Sequence, residues 1–250
     1  MKKQGFETRV LHTSYEREDV YGALAMPVYN TAAYEFETAE AMEAAFCGRT
    51  ADHAYSRITN PTVQHFENCI RSVTGALGVT ALNSGMAAIS NALITVAYAG
   101  SNVVTSSHLF GNTYSFLKNT LAAFGVECRC CDLTNMDEVR AQVDEHTCAL
   151  FLEVITNPQL EVADLKKLAA IAHEKGVPLI ADTTVVPFHV FQADKFGVDI
   201  EIVSSTKYIS GGATSIGGLI VDYGSFDWSR SQKLAGMSRD FGKAAFATKL

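Results

Sequence analysis

The stretch Asp199-Ile-Glu-Ile-Val-Ser-Ser-Thr-Lys207-Tyr-Ile-Ser-Gly-Gly212 decides how the chain is read. Its apolar residues Ile200, Ile202 and Val203 predict a short strand. That strand carries Ser204, Ser205, Thr206 and Lys207 to its C-terminal end, where a glycine-rich turn follows. In open α/β sheets, ligands sit beyond the carboxyl ends of the strands. A lysine there, flanked by hydroxyls that can hold a phosphate, suits a cofactor bound as a Schiff base. On these residues alone, a surface lysine after a strand reads equally well.

Outward from this strand the alternation is regular. Asn60-Pro61 predicts a helix start, with Asn60 as N-cap, an apolar face of Val63, Phe66, Ile70 and Val73, and Gly75 at its end. A strand at 79–82 and a helix at 87–99, stopped by Gly100, follow. Then come a strand at 102–105, a helix near 113–124, a strand at 126–131 and a helix at 136–145. Strand 149–154, helix 164–175, strands 178–182 and 200–203 and a last apolar run at 218–222 complete the pattern. Strands alternating with helices predict βαβ units and a mostly parallel sheet with helices on both faces, an α/β fold.

Residues 1–60 show little periodicity beyond a helical patch at 39–46. They read as an arm involved in subunit contacts, and their aromatics (Tyr15, Tyr21, Tyr29, Tyr34, Phe36) argue against disorder. Residues 61–250 read as the large domain. The stretch 241–250 reads as part-way through an element.

The net charge of −7 comes from interspersed acids and bases, with no basic stripe, so nucleic acid is not an expected partner. The N-terminus lacks the apolar segment of a signal peptide, and no apolar run is long enough to span a bilayer. A cytoplasmic protein without membrane contact is the expectation. Among the six cysteines, Cys128-Arg-Cys-Cys131 matches C-x-x-C formally but has no second pair and no ligand-spaced histidines. Free, buried thiols are expected and no metal site. There is no P-loop, G-x-G-x-x-G or G-x-S-x-G.

Other residues gather at the same predicted sheet edge. Ser84-Gly85-Met86 lies between a strand and a helix N-terminus, where backbone N–H groups and the helix dipole favour an anion; an ordinary N-cap turn is the plainer reading. Asp182 ends an apolar strand and could cap the next turn. Alternatively it could pair with a protonated ring nitrogen, since an opposite charge within about 4–6 Å shifts a pKa by roughly 1–3 units. Asn157, before Pro158, could hydrogen-bond a phenolate oxygen or simply turn the chain. Phe110 could stack on a planar ring or fill the core. Arg57, in Tyr55-Ser-Arg57, could bind a phosphate or form a surface ion pair.

Together these residues resemble the Cys/Met-metabolism family of PLP-dependent enzymes, which includes cystathionine synthases and lyases, methionine γ-lyase and O-acetylhomoserine sulfhydrylase. The motifs run in order over nearly the whole chain: Tyr55-Ser-Arg57 with Asn60-Pro61-Thr62, Ser84-Gly85-Met86-Ala87-Ala88, Phe110-Gly111-Asn-Thr113, Asn157-Pro158, Asp182-Thr-Thr184 and Ser204-Ser-Thr-Lys207. The resemblance implies the large domain of the fold type I PLP-dependent transferases, with pyridoxal 5'-phosphate on Lys207. It implies that Asp182 pairs with the pyridinium, and Asn157 with the phenolic oxygen. Phosphate binding falls to Ser84, Gly85, Met86, Ser204 and Thr206, and Tyr55 and Arg57 reach the phosphate of a partner subunit in a dimer within a tetramer. Phe110 stands where many members carry a stacking tyrosine.

The run Thr214-Ser-Ile-Gly-Gly-Leu-Ile-Val-Asp222 with Phe226-Asp-Trp228 looks most like the O-acetylhomoserine sulfhydrylases. That implies γ-replacement on an O-acylated homoserine by sulfide or a thiol, in methionine and cysteine metabolism. A lyase or cystathionine synthase of the same family is the alternative. The 209–213 run Ile-Ser-Gly-Gly-Ala departs from the histidine-containing run usual there. The smaller C-terminal domain that supplies a substrate-binding arginine is expected to be absent from this chain, so a non-catalytic PLP-binding paralogue is a further alternative.

Overall fold

The computed structural model describes residues 4–13 and 21–250. Residues 1–3 and Tyr15 of the N-terminal arm therefore lie outside the described residues. The chain divides into two compact units, Met1–Val73 and Thr74–Leu250. The division falls near the end of a helix instead of at residue 60.

The first unit holds α1 (Phe6–His12), α2 (Ala39–Phe46) and nearly all of α3 (Pro61–Thr74). The sequence pattern does not mark α1; it has no buried residue and its N-cap Gly5 offers no side-chain acceptor, so neither periodicity nor capping identifies it. Helix α2 keeps its predicted bounds because Thr38 accepts the Ala41 N–H at 3.1 Å. Asn60 caps α3 through its Oδ1, which accepts the Thr62 N–H at 2.9 Å. Its amide nitrogen donates to the Tyr29 carbonyl at 2.9 Å and to the Ser56 hydroxyl at 3.0 Å, and so fastens the irregular segment to the helix. Of the predicted apolar face, Ile70 and Val73 are buried and Val63 is exposed.

The second unit is built on one seven-stranded sheet: β1 (Gly78–Leu82), β2 (Asn102–Ser106), β3 (Glu127–Cys131), β4 (Thr147–Glu153), β5 (Leu179–Asp182), β6 (Ile200–Val203) and β7 (Gly218–Asp222). The spatial order is β1-β7-β6-β5-β4-β2-β3. Strands β3, β2, β4, β5 and β6 run parallel, and β7 is antiparallel to both β6 and β1. Hence β1 points the same way as the parallel set, and six C-terminal ends open on one edge. The mostly parallel sheet is as expected.

Helices cover both faces. Between the strands run α4 (Gly85–Val96), α5 (Gly111–Ser115), α6 (Met136–Gln142) and α7 (Leu165–Lys175), with α8 (Ala235–Phe241) and α9 (Ala245–Lys249) at the end. Side chains alternate across a strand with period two. Ala149, Phe151, Ile180, Ile200 and Ile202 accordingly pack with Ala88, Ile89, Ala92 and Leu93 of α4. Leu150, Leu152, Leu179 and Ala181 pack with α6 and α7 on the other face. Trp228 stacks on Phe246 at 5.1 Å and meets Phe226 edge-on at 4.9 Å, which adds an aromatic plug to the α4 side.

Several elements differ from the pattern; the helix expected at 136–145, for one, ends at Gln142. Helix α4 starts two residues earlier than 87, because Ser84 Oγ accepts the Ala87 N–H at 3.1 Å and so places the first turn on Gly85. It stops at Val96, where the Tyr98 N–H goes to Ser101 Oγ at 3.0 Å and Lys233 takes the Ala97 carbonyl at 2.6 Å. The helix expected near 113–124 is α5 followed by a π turn over Phe116–Leu121, which shifts the buried face to Leu117 and Leu121.

The thiol expectation needs correction. Cys47 is exposed, and Cys69, Cys128 and Cys130 are half-buried; all six are free. Period two in β3 sends Cys128 and Cys131 to opposite faces of the sheet, so the C-x-x-C pair cannot meet. Burial pushes the Cys128 and Cys131 thiols up to about 12, the protonated, inert form. No group of metal-ligating side chains occurs among the described residues.

Candidate active site

The common edge of the parallel strands holds a cavity of about 250 Å³ in the second unit. Ser84, Gly85, Met86, Phe110, Asn157, Asp182, Ser204, Thr206 and Lys207 line it, nine of the residues singled out from sequence. Tyr55 and Arg57 belong to the first unit and are not among its lining residues. Both are exposed, and the Arg57 guanidinium lies over the Tyr55 ring, 5.3 Å from its centroid.

Each wall comes from one strand end. After β1, Ser84 caps α4 by taking the Ala87 N–H, and the remaining N–H groups of the first turn of this twelve-residue helix are available to an anion. Gly85 is required by close approach: a Cβ there would lie 2.7 Å from Ser204 Cβ. Gly218 serves the same packing, since its Cβ would lie 2.1 Å from the Ser84 carbonyl oxygen. The turns after β1 and β6 are thereby pressed together, and the Ser204 side chain stands beside the α4 N-terminus.

After β6, the Ser204 N–H is held by Thr184 Oγ1 at 2.8 Å, and the Lys207 N–H by the Ser204 carbonyl at 3.2 Å. The Lys207 side chain is exposed on the cavity. Thr206 is engaged in both directions: its hydroxyl donates to the Gly217 carbonyl at 3.1 Å and accepts the Gly217 N–H at 3.0 Å. Of the two hydroxyl residues placed here by sequence, Ser204 is therefore the freer donor.

Asp182 ends β5, and its Oδ1 accepts the Thr184 N–H at 2.9 Å. Burial holds its carboxyl above the usual range, against the Thr184 bonds that oppose it. A carboxylate in this position gains from a cation in the cavity.

Glu153 is the site residue that sequence reasoning missed. It ends the apolar strand β4 and is buried. It is the register partner of Asp182, so both carboxylates point to the α4 face. Its Oε1 accepts the Phe110 N–H at 2.6 Å and its Oε2 the Asn157 N–H at 3.1 Å. Burial pushes its carboxyl up to about 7; the Asp182 charge adds to this, and the two N–H groups oppose it. The signal that marks Asp182, a charge closing an apolar strand, is equally present in Ala149-Leu-Phe-Leu-Glu153. Phe110 itself is half exposed at the cavity, so it is not a core residue.

The Cys/Met metabolism PLP-dependent enzyme family model matches residues 7–248. A sulfhydrylase of Fusarium oxysporum is 37% identical over 91% of this chain and 53% of its own length. Among solved structures, the O-acetylhomoserine sulfhydrylase of Wolinella succinogenes shares 50% identity, with a TM-score of 0.72, over 76% of this chain and 54% of that one. An O-acetylhomoserine (thiol)-lyase from Campylobacter jejuni, carrying a pyridoxyl-lysine monophosphate, gives a TM-score of 0.83 at 34% identity over 88% of this chain and 54% of that one. The chain spans about half the length of the curated relatives it matches. Its sheet and helices are those of the fold type I PLP-dependent enzymes. With the match running along almost its full length, the chain belongs to the Cys/Met metabolism PLP-dependent enzyme family.

Proposed function

We propose that the cavity binds pyridoxal 5'-phosphate with Lys207 as the covalent attachment point, and that the protein catalyses γ-replacement on an O-acylated homoserine with sulfide or a thiol. The observation that carries the reading is the convergence of Lys207, Asp182 and the α4 N-terminus on one cavity.

The residues fit the cofactor. Asp182 is a carboxylate whose burial is poorly compensated, and it suits a protonated ring nitrogen. The first turn of α4, with the Ser84 and Ser204 side chains, suits a phosphate; Thr206 would join by releasing Gly217. Phe110 offers a ring at the cavity, and the Asn157 side chain an amide donor. The Gly85–Ser204 approach brings a helix N-terminus and a hydroxyl to the same point. When bound, the cofactor supplies an electron sink for carbanion chemistry.

The chain's residues then have distinct tasks. Asp182 keeps a pyridine nitrogen protonated. The Lys207 amine moves the α- and β-protons of the substrate that precede departure of its γ-substituent. Tyr55 and Arg57, adjacent and exposed on the first unit, reach the phosphate of a partner subunit in a dimer-of-dimers assembly. A cytoplasmic transferase of methionine and cysteine metabolism completes this reading. The O-acetylhomoserine chemistry rests on what the relatives are named for.

The test is to incubate the purified protein with PLP and O-acetylhomoserine, with and without sulfide. Homocysteine formed only with sulfide supports γ-replacement. α-Keto acid released without a sulfur acceptor would reassign the protein to a lyase. PLP bound with neither product formed would mark a binding paralogue.

A further inference from the structure

We propose that Glu153 is a positioning residue of this site: its carboxylate ties the segment after β2 to the segment after β4, holding Phe110 and Asn157 in fixed relation on the cavity wall. The proposal rests on the reading that the cavity holds PLP.

The segments after β2 and β4 meet on this one side chain, and farther out at the exposed His108–Glu161 pair, 2.7 Å apart. Each carboxylate oxygen takes one backbone N–H, from Phe110 at 2.6 Å and from Asn157 at 3.1 Å. Both donor residues are buried less than Glu153 itself, and their side chains line the cavity. A backbone clamp of this kind fixes where a ring and an amide donor sit without touching a ligand. Only the ionised carboxylate accepts at both oxygens; a neutral carboxyl or an amide turns one oxygen into a donor facing an N–H. The clamp is therefore made or broken by one proton.

Several charged groups face Glu153 from the elements around it. Asp182 stands beside it on β5, and the two carboxylates disfavour one another's charge. Lys207 lines the same cavity from beyond β6, and α4 presents only uncharged residues there, Gly85, Met86 and Ile89. On the opposite side, Glu161 shares a small cavity with Glu153 and is paired to His108 at 2.7 Å. A cation seated at Asp182 favours ionised Glu153, so filling the cavity and closing the clamp support each other.

The experiment compares wild type with Glu153→Gln in amide hydrogen exchange, corrected for intrinsic rates, and in PLP titration, between about pH 5.5 and about pH 8.5. In wild type, protection at Phe110 and Asn157 is expected to fall about tenfold toward acid, with its midpoint near 7. In Glu153→Gln it is low and flat throughout. PLP affinity is expected to follow the same course, about tenfold weaker in the variant at alkaline pH and without its pH dependence. Equal protection at both pH extremes in wild type overturns the clamp, and needs neither a folded variant nor a bound cofactor. Equal PLP affinity and pH dependence in the two proteins overturns the positioning role. Intact protection in a wild type that never binds PLP defeats the cofactor reading and the role built on it.

Discussion

Glu153 and Asp182 are register partners on adjacent parallel strands, and both side chains point to the α4 face of the sheet at its C-terminal edge. Burial raises both carboxyls, and the Asp182 charge adds to the rise at Glu153. The edge of this sheet is thus built to receive positive charge.

Asp182→Asn is expected to weaken PLP binding by roughly ten- to a hundredfold, since one pKa unit is worth about 1.4 kcal/mol. The cofactor-free protein should not lose stability, because the amide oxygen introduced there can still accept the Thr184 N–H and no buried charge remains. Titration of PLP absorbance, set beside thermal denaturation of the cofactor-free protein, separates the two effects. A variant that binds PLP normally would remove Asp182 from the site.

Gly85→Ala tests the close approach of two turns. The added Cβ meets the Ser204 side chain at 2.7 Å, and neither backbone can retreat without moving α4 or β6. The expected cost is about 1–3 kcal/mol in denaturant unfolding, with a large loss of PLP affinity. An alanine tolerated on both counts contradicts the packing described.

Stability should depend on pH with a definite sign. Burial pushes Glu201 up to about 7 and Asp222 up to about 6 in the folded protein. The folded state therefore binds more protons than the unfolded one between the usual carboxylate range and neutrality, and stability falls as pH rises through that window. Asp144 acts oppositely: despite some burial, Arg129 and Asn102 hold its carboxyl well below the usual range, so its contribution is present above about pH 4 and lost in stronger acid. Cofactor-free protein should thus melt highest in mild acid, near about pH 5, and lower at about pH 8. A melting temperature that rises steadily to pH 8 contradicts this.

Asn60→Ala probes the first unit. It removes an N-cap acceptor and the amide that holds the Tyr29 carbonyl and the Ser56 hydroxyl. A loss of about 1–3 kcal/mol is expected, with increased proteolysis around residues 27–35 as its local signature. Unchanged cleavage there would show that Asn60 does not anchor the segment.

The sites most legible in the sequence are those where a functional residue closes a strand of evident direction. Lys207, Asp182 and Ser84 each follow an apolar run and precede a turn, so sheet topology alone brings them together. Glu153 carries the same signal, but its partners are backbone N–H groups that a sequence does not display. The π turn after α5 is hidden because one extra residue per turn breaks the 3.6-residue period. The direction of β7 depends on how the 204–217 connection folds around Thr206 and Gly217, a tertiary matter. Cys128 and Cys131 are separable from sequence alone, because a strand cannot put residues three apart on one face.

The most direct test of the account is to equilibrate the protein with PLP, reduce with borohydride, digest, and locate the pyridoxyl group by mass spectrometry. The label is expected on Lys207, in the peptide that follows β6, and is expected to be lost in Lys207→Ala. A label confined to other lysines, or none on a folded protein, would contradict it.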